Sequence, residues 1–415
     1  MRAEILSIGS ELVSGQNLDT NSRWLSQQLG MLGVPVAYHT TLGDEMDDHL
    51  EAFRTAVGRA GLVLMTGGLG PTQDDLTREA LALCAGVPLV EDAASLAAIA
   101  AIFERRNRPM ADRNRVQAMF PVGAEPLPNP IGTAPGIWMK IGGAWVAAMP
   151  GVPSEMRRMF DDEVVPRLRE LGLGGQHIVH RKINLFGRGE SDIERDAMDL
   201  TARGRVPEVG ITASEATISF RISGSGETED EAIRQTEPTA ATIYERFGPM
   251  IVGEGTADVA DGLFAELART GATIATAESC TGGLIARMIT AISGVSPYYL
   301  GGAVTYSNAS KTTMLGVPAE RIEAHGAVSP EVAAAMAEGI RNRLGATIGI
   351  STTGIAGPTG GTPEKPVGLV YIGLATANGA ETRRLDLGIE RPRDFIQVFS
   401  AKSALNWARL VLRET

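Results

Sequence analysis

The feature that most constrains this chain is the repeated return of a short apolar run, a glycine-rich loop and then an amphipathic stretch. Residues 4–8 read as a strand, and residues 21–32 carry helical spacing through Trp24, Leu25, Leu29 and Leu32. Residues 34–38 read as a strand, 47–57 as a helix and 62–65 as a buried strand. This βαβαβ order predicts an α/β fold, with a parallel sheet covered on both faces and ligands at the strands' carboxyl ends. The loops after Ile8 and Met65 are therefore the first places to seek a site.

The texture changes at about residue 166. A basic strand at 177–186, an acidic helix at 190–200, an alternating strand at 217–222 and a helix at 228–247 predict a small α+β module. Residues 253–256 read as a linker. Beyond it come a helix at 259–269, a strand at 273–277, helices at 284–292 and 330–343, and strands at 346–351 and 368–375. A closing amphipathic helix spans 394–412. The expected division is thus residues 1–165, 166–252 and 253–415, with a second α/β domain at the end.

Composition excludes several classes. A net charge of −11 and a pI near 5.1 argue against a chain whose main work is neutralising a nucleic-acid backbone. Cys84 and Cys280 are the only cysteines, too few for a disulfide framework and consistent with a reducing cytosol. The apolar run at residues 1–9 is too short for a signal peptide. The longest uncharged stretch, residues 288–310, holds Pro297, Asn308 and three glycines, so it is not a membrane span. A cytoplasmic protein without membrane contact is expected.

The run Thr66-Gly67-Gly68-Leu69-Gly70-Pro71-Thr72-Gln73-Asp74-Asp75-Leu76-Thr77 follows a strand and precedes a helix at 78–84. Glycines there let backbone amides approach a phosphate, and the helix start adds favourable partial charge. Asp74 and Asp75 would repel that anion unless a divalent cation lay between them. The competing reading is an N-cap and a tight turn. Gly9-Ser10-Glu11, the loop from Gly15 to Asn21, and the Gly/Pro loops 129–136 and 149–155 are similarly furnished.

Together these motifs resemble the molybdopterin-binding (MoCF-type) domain as it occurs at the N-terminus of the CinA family of competence/damage-inducible proteins. The resemblance covers about residues 1–165 and implies metal-dependent hydrolysis of the pyrophosphate of ADP-ribose. It implies ADP-ribose contacts from Ser10, Glu11, Asp19, Asn21, Gly67, Gly68, Gly70, Gly132 and Thr133. A divalent ion such as Mg²⁺ would sit on Asp74 and Asp75. A domain that keeps this fold but only binds ligands, or that binds or adenylylates molybdopterin, is the rival, because fold alone does not set function.

In the same family the middle segment resembles a KH-like fold. Residues 166–250 hold 11 Lys and Arg against 14 Asp and Glu, and the GxxG spacing at 172–175 has no basic residue within it. Both facts argue against nucleic acid as a partner. A spacer or dimer-contact role is expected instead.

In the third domain a strand runs into Glu278-Ser279-Cys280-Thr281-Gly282-Gly283 and then a helix. A serine at such a turn has its hydroxyl near unpaired amides, where a nucleophile and an oxyanion site coexist. Ser279 or Thr281 acting only as a cap is the alternative, and Cys280 is a second nucleophile candidate. The domain's one histidine, His325, lacks an evident Asp partner. Lys311, at the end of the uncharged stretch, is the better base once desolvated, with Tyr306 able to relay a proton. Five glycines at 352–368 exceed what an ordinary connection needs and mark a binding loop.

Residues 255–415 closely resemble the C-terminal CinA domain, the nicotinamide-nucleotide amidohydrolase (PncC) family, through AESCTGG, GGAVTYSNASK and TGIAGPTGGTPEKPVG. That resemblance implies hydrolysis of nicotinamide mononucleotide to nicotinate mononucleotide and ammonia without a cofactor. It implies Ser279 as nucleophile, Lys311 as base and Tyr306 assisting. Thr281, Gly282, Gly283, Thr353, Gly354, Gly357, Gly360 and Gly361 would hold the substrate. The sequence departs from the family where Gln397 replaces a second arginine after Arg391 and Arg393, which puts a phosphate contact in doubt. The expectation is a homodimeric, bifunctional hydrolase recycling pyridine nucleotides. The contrary reading is a non-catalytic competence-associated protein that binds nucleotides or partners.

Overall fold

The structure, a computed structural model, describes residues 1–175 and 177–415. They form two compact units, Met1–Val179 with Ser225–Ile233, and His180–Gly224 with Arg234–Thr415.

In the first unit, β1 (Ala3–Ile8), β2 (Val36–Leu42) and β3 (Leu62–Thr66) are joined by helices, as the periodicity predicts. A ribbon of β4 (Leu89–Glu91) and β5 (Met119–Pro121) stands apart. β6 (Glu125–Leu127), β7 (Gly136–Ile141) and β8 (Ala144–Met149) complete a six-stranded sheet in the order β2-β1-β3-β8-β7-β6. β2, β1, β3 and β8 run parallel, whereas β7 is antiparallel to both its neighbours, a hairpin the sequence reading did not anticipate. The strand period of two divides β3 between two cores. Leu62 and Leu64 pack with Leu25 and Leu29 of the helix Thr20–Met31. Val63 and Met65 pack with Phe53 and Ala56 of the helix Met46–Arg59. Each fully buried Leu or Phe contributes about 1.5–3 kcal/mol of transfer free energy, so this covering on both faces fixes the register that delivers the loops after β1, β3 and β8 to one end.

Most of the sheet β10-β11-β9-β12 belongs to the second unit; its strands are β9 (His177–Leu185), β10 (Glu208–Ser214), β11 (Thr217–Gly226) and β12 (Ile251–Glu254). Here the structure corrects the expected linker: Gly253 and Glu254 belong to β12, antiparallel to β9. Buried Asn184 on β9 donates from Nδ2 to Gly255 O and Ala257 O, so the segment after the strand is fastened rather than free.

A helix, Val259–Thr270, starts at a capping box of Asp258 and Asp261 and leads into the third sheet. Its strands are β13 (Ile274–Glu278), β14 (Tyr299–Val304), β15 (Ile348–Gly354), β16 (Leu369–Thr376) and β17 (Gly379–Asp386), in the order β14-β13-β15-β16-β17. The first three are parallel and the last two antiparallel. The helices Val259–Thr270 and Arg393–Arg413 bury Leu263, Leu267 and Leu405 with Ile274. The helix Pro330–Leu344 buries Val332, Met336 and Ile340 against Ala275 and Ala277. The carboxyl ends of β13, β14 and β15 therefore carry residues 278–283, 305–311 and 352–368 to the same edge. Among the described residues no helix is long and apolar enough to cross a membrane.

Candidate active site

At the end of β13 the buried carboxylate of Glu278 organises the turn. It accepts hydrogen bonds from Thr281 Oγ1 at 2.7 Å and from the amides of Gly283, Ile285 and Ala286 at 3.0, 3.0 and 2.8 Å. These amides begin the helix Leu284–Thr290, where intrahelical partners are lacking, so the carboxylate satisfies donors that would otherwise need water. The residue was quoted within its motif but given no role; an acid one position before a serine at a strand end was the available signal. Ser279 and Thr281 do not cap this helix, whose N-cap residue is Gly283 with a left-handed backbone.

Ser279 is 9 % exposed, and its Oγ lies 3.2 Å from Lys311 Nζ. Lys311 comes from the helix Asn308–Leu315, is 1 % exposed, and donates to Thr305 O at 2.8 Å. Desolvation by burial lowers its pKa from the ordinary lysine value, opposed only in part by the neighbouring Cys280. Burial pushes the Cys280 thiol up to about 12, which removes it as a nucleophile at neutral pH. Tyr306 is well exposed and accepts a hydrogen bond from Arg393 Nη2 at 3.1 Å. The same guanidinium donates to Gly357 O at 2.6 Å. His325 lies 3.6 Å from Glu331 and forms no part of the serine's surroundings.

The other expected substrate contacts divide into two groups. The hydroxyl of Thr281 is committed to Glu278 and Thr352, and that of Thr353 donates to Ala327 O, so both hold the frame. A Cβ on Gly354 would lie 2.7 Å from Leu369 O, so this glycine permits close strand packing. Gly282 and Gly283 take positive φ in the turn after Ser279, whereas Gly357, Gly360 and Gly361 lie in the long loop, with Gly360 and Gly361 exposed. Gln397 donates from Nε2 to Cys280 O at 2.8 Å.

In the first unit the loops after β1, β3 and β8 enclose two adjoining cavities of about 420 and 410 Å³. Glu11 and Gly151 line both. The first adds Asp44, Gly67, Gly68, Gly70, Asp74, Asp75, Gln117, Thr133 and Glu155; the second adds Asp19 and Asn21. Gly67 has φ near +108°, and a Cβ there would lie 2.2 Å from Ile8 O. Gly132 lies against the Glu155 carboxylate, beside Asn129, which also donates to Glu155 at 2.7 Å. Ser10 donates its amide and hydroxyl to Asp44, at 2.9 and 2.6 Å. Asp19 caps the helix Thr20–Met31; burial alone would raise its carboxyl, but hydrogen bonds from Ser22 bring it below the usual value. Asn21 Nδ2 donates to Thr66 Oγ1 and Gly151 O, tying two loops together.

The expected pair Asp74 and Asp75 separates into two jobs. Asp75 accepts from the amides of Gly70 and Thr72 at 2.7 and 2.9 Å and from the Thr72 hydroxyl, so it closes the loop on itself. Asp74 is exposed, and the neighbouring Thr72 hydroxyl together with its own backbone amide holds its carboxyl below the usual range. Among the described residues no three His, Cys, Asp or Glu side chains gather in metal-binding geometry. Yet five carboxylates and no Lys or Arg line the larger cavity. That donor set fits a divalent ion held by one or two carboxylates and completed by ligand oxygens, the habit of Mg²⁺, better than an all-protein cage. Two residues were missed. Gln117, 1 % exposed, is held through its Oε1 by Asn114. Arg78 is completely buried behind the loop, with Nε and Nη2 unpartnered and a pKa lowered by desolvation to about 10.

The arrangement defines an α/β protein with two separate strand-end sites, one built around a serine and a buried lysine and the other around a glycine loop and carboxylates. The chain belongs to the CinA family. The CinA C-terminal domain profile matches residues 256–412, the "Probable molybdopterin binding domain" profile residues 4–170, and the damage-inducible protein CinA KH domain profile residues 180–253. A CinA-like protein of Gloeobacter violaceus is 44% identical over 98% of this chain and 96% of its own length. One from Synechococcus elongatus is 42% identical over 98% and 97%. A solved competence/damage inducible protein from Agrobacterium tumefaciens is 39% identical, with a TM-score of 0.36, covering 37% of this chain and 93% of that one.

Proposed function

We propose that the second unit is a serine amidohydrolase that converts nicotinamide mononucleotide and water to nicotinate mononucleotide and ammonia. The observation that carries this reading is the Ser279 Oγ to Lys311 Nζ approach of 3.2 Å around a lysine whose burial favours the neutral amine. Neutral Lys311 takes the Ser279 proton as Oγ attacks the carboxamide carbon. The oxyanion is met by the turn, since the Thr281 amide donates to no backbone acceptor among the described residues. The ammonium of Lys311 then protonates the departing nitrogen, ammonia leaves, and water activated by the same amine releases the acid and restores the serine. Arg393 and the long loop beside it supply the donors for the phosphate, and Tyr306 closes over the ring.

The test is release of ammonia and nicotinate mononucleotide from nicotinamide mononucleotide by wild type, Ser279→Ala, Lys311→Ala and Cys280→Ala. Turnover lost in the first two variants and kept in the third supports the reading. An inactive, folded wild type overturns it and leaves nucleotide or partner binding as the alternative.

For the first unit the reading is hydrolysis of the ADP-ribose pyrophosphate, supported by the glycine loop and the carboxylate-lined cleft. A divalent ion, held by Asp74 with Glu11 across the same cavity, would neutralise phosphate charge and lower the pKa of a bound water. The chain's own groups would position the ligand: the amides of the Gly67–Gly70 loop for phosphate, Asn21 and Gln117 for polar groups of the nucleoside. AMP formation from ADP-ribose that requires added Mg²⁺ or Mn²⁺ checks this, and molybdopterin competing with ADP-ribose would favour the pterin-binding alternative.

A further inference from the structure

Gln397 lies one turn inside the helix Arg393–Arg413, far along the sequence from the nucleophile, yet its Nε2 donates to Cys280 O at 2.8 Å. That carbonyl belongs to the peptide joining Cys280 to Thr281, whose N–H donates to nothing else among the described residues. A trans peptide is planar, so its N–H points opposite to its C=O. Neither cis peptide among the described residues involves this bond. A donor fixed on the carbonyl side therefore sets the direction of the Thr281 N–H, and it also polarises the peptide, because hydrogen bonds in series strengthen one another.

The helix that presents Gln397 is held firmly. Ile396, next to it, is completely buried, and Lys402, 2 % exposed, donates to Glu215 O at 2.7 Å and Thr217 Oγ1 at 2.9 Å, with Asp258 Oδ2 at 2.7 Å. Arg409 donates to Ile251 O and Pro249 O, at 3.1 and 2.7 Å. From the opposite side Glu278 fixes the amides of Gly283, Ile285 and Ala286. The turn is thus gripped at its carbonyl by one helix and at its following amides by a strand-end carboxylate.

We infer that Gln397 is a positioning residue which orients and polarises the Cys280–Thr281 peptide, making the Thr281 N–H a donor to the oxyanion that forms when Ser279 attacks. The inference rests on the serine amidohydrolase reading and adds the residue that tunes its transition-state contact. Direct loss of an oxyanion donor costs about 10²–10³ in kcat, so loss of the group behind it is expected to cost about tenfold.

The experiment is steady-state kinetics on nicotinamide mononucleotide for the full chain with Gln397→Ala, Gln397→Glu and Gln397→Arg, with thermal unfolding of each. The expected result is kcat lowered about tenfold in Gln397→Ala with KM within about twofold, a larger fall in Gln397→Glu, which sets acceptor against acceptor, and recovery in Gln397→Arg, which donates again. Unchanged kcat in Gln397→Ala, or a loss confined to KM, overturns the inference. Should Gln397→Ala unfold, Gln397→Arg decides: a folded protein with kcat as low as that of Gln397→Glu refutes it. An inactive wild type overturns the amidohydrolase reading itself, whereas an active wild type with an indifferent Gln397 overturns only this inference.

Discussion

The turn after β13 that carries Ser279 and the glycine loop of the first unit are the same local device, strand into glycine-rich loop into helix, with different polar groups left over. In both, an acid of the motif is consumed by the loop's own donors. Glu278 takes the amides of Gly283, Ile285 and Ala286, and Asp75 takes those of Gly70 and Thr72. What remains differs. At the turn it is a neutral hydroxyl beside a buried amine; at the glycine loop it is a cavity lined by carboxylates with Asp74 exposed at its mouth. The comparison teaches that the motif fixes a backbone shape, while the nearby charges it leaves uncompensated select the chemistry.

The largest effect expected is at the turn. Ser279→Ala should lower deamidation by at least about 10³-fold, and Cys280→Ala should leave it within a few-fold, measured as ammonia release. Equal losses would break the assignment of the nucleophile. Next is Lys311→Met, which keeps the stem without the amine and should cost about 10²–10⁴. In the proposed mechanism the active form is the neutral amine, and the pKa of Lys311 is lowered, so kcat/KM should rise with pH and level off below the usual lysine value of 10.5. A pH-independent rate would remove Lys311 as the base.

Glu278→Gln sharpens the comparison through stability. A buried carboxylate accepting four hydrogen bonds is replaced by an amide able to accept fewer, leaving donors unsatisfied, and about 2–3 kcal/mol should be lost from the second unit in denaturant unfolding. The smallest effects separate the paired aspartates. Asp75→Asn should cost about 1 kcal/mol by loosening the loop, whereas Asp74→Asn should leave the unfolding curve unchanged and weaken metal-dependent AMP formation about tenfold. Identical behaviour of the two variants would undo the division of labour drawn between them.

By itself the sequence determined the elements whose apolar period is strong and whose ends are marked. Leu25 and Leu29 on one helix and Leu62 to Met65 on a strand announce their buried faces, because periodicity is a property of neighbours along the chain. Its motifs also paired Ser279 with Lys311, which the fold brings to 3.2 Å, and were specific enough to place the CinA family. The β7–β8 hairpin was not legible: Trp138 and Trp145 stack across it, but its Gly142-Gly143 turn resembles the other glycine loops in sequence. Gly253 and Glu254 fall in the stretch that reads as a linker because their strand partners, Asn184 and Ile183, are about seventy residues away.

Only the tertiary structure decided which polar groups are spent and which are left. Asp74 and Asp75 are adjacent and chemically alike, yet the loop's curvature gives one to backbone amides and the other to solvent. Gln397 could be read as a missing phosphate contact until the closing helix brought it to Cys280 O, 117 residues away in sequence. The physical reason is that hydrogen bonding and desolvation depend on distances across the fold. A linear pattern encodes which face of an element is buried, and packing determines which donors and acceptors meet there.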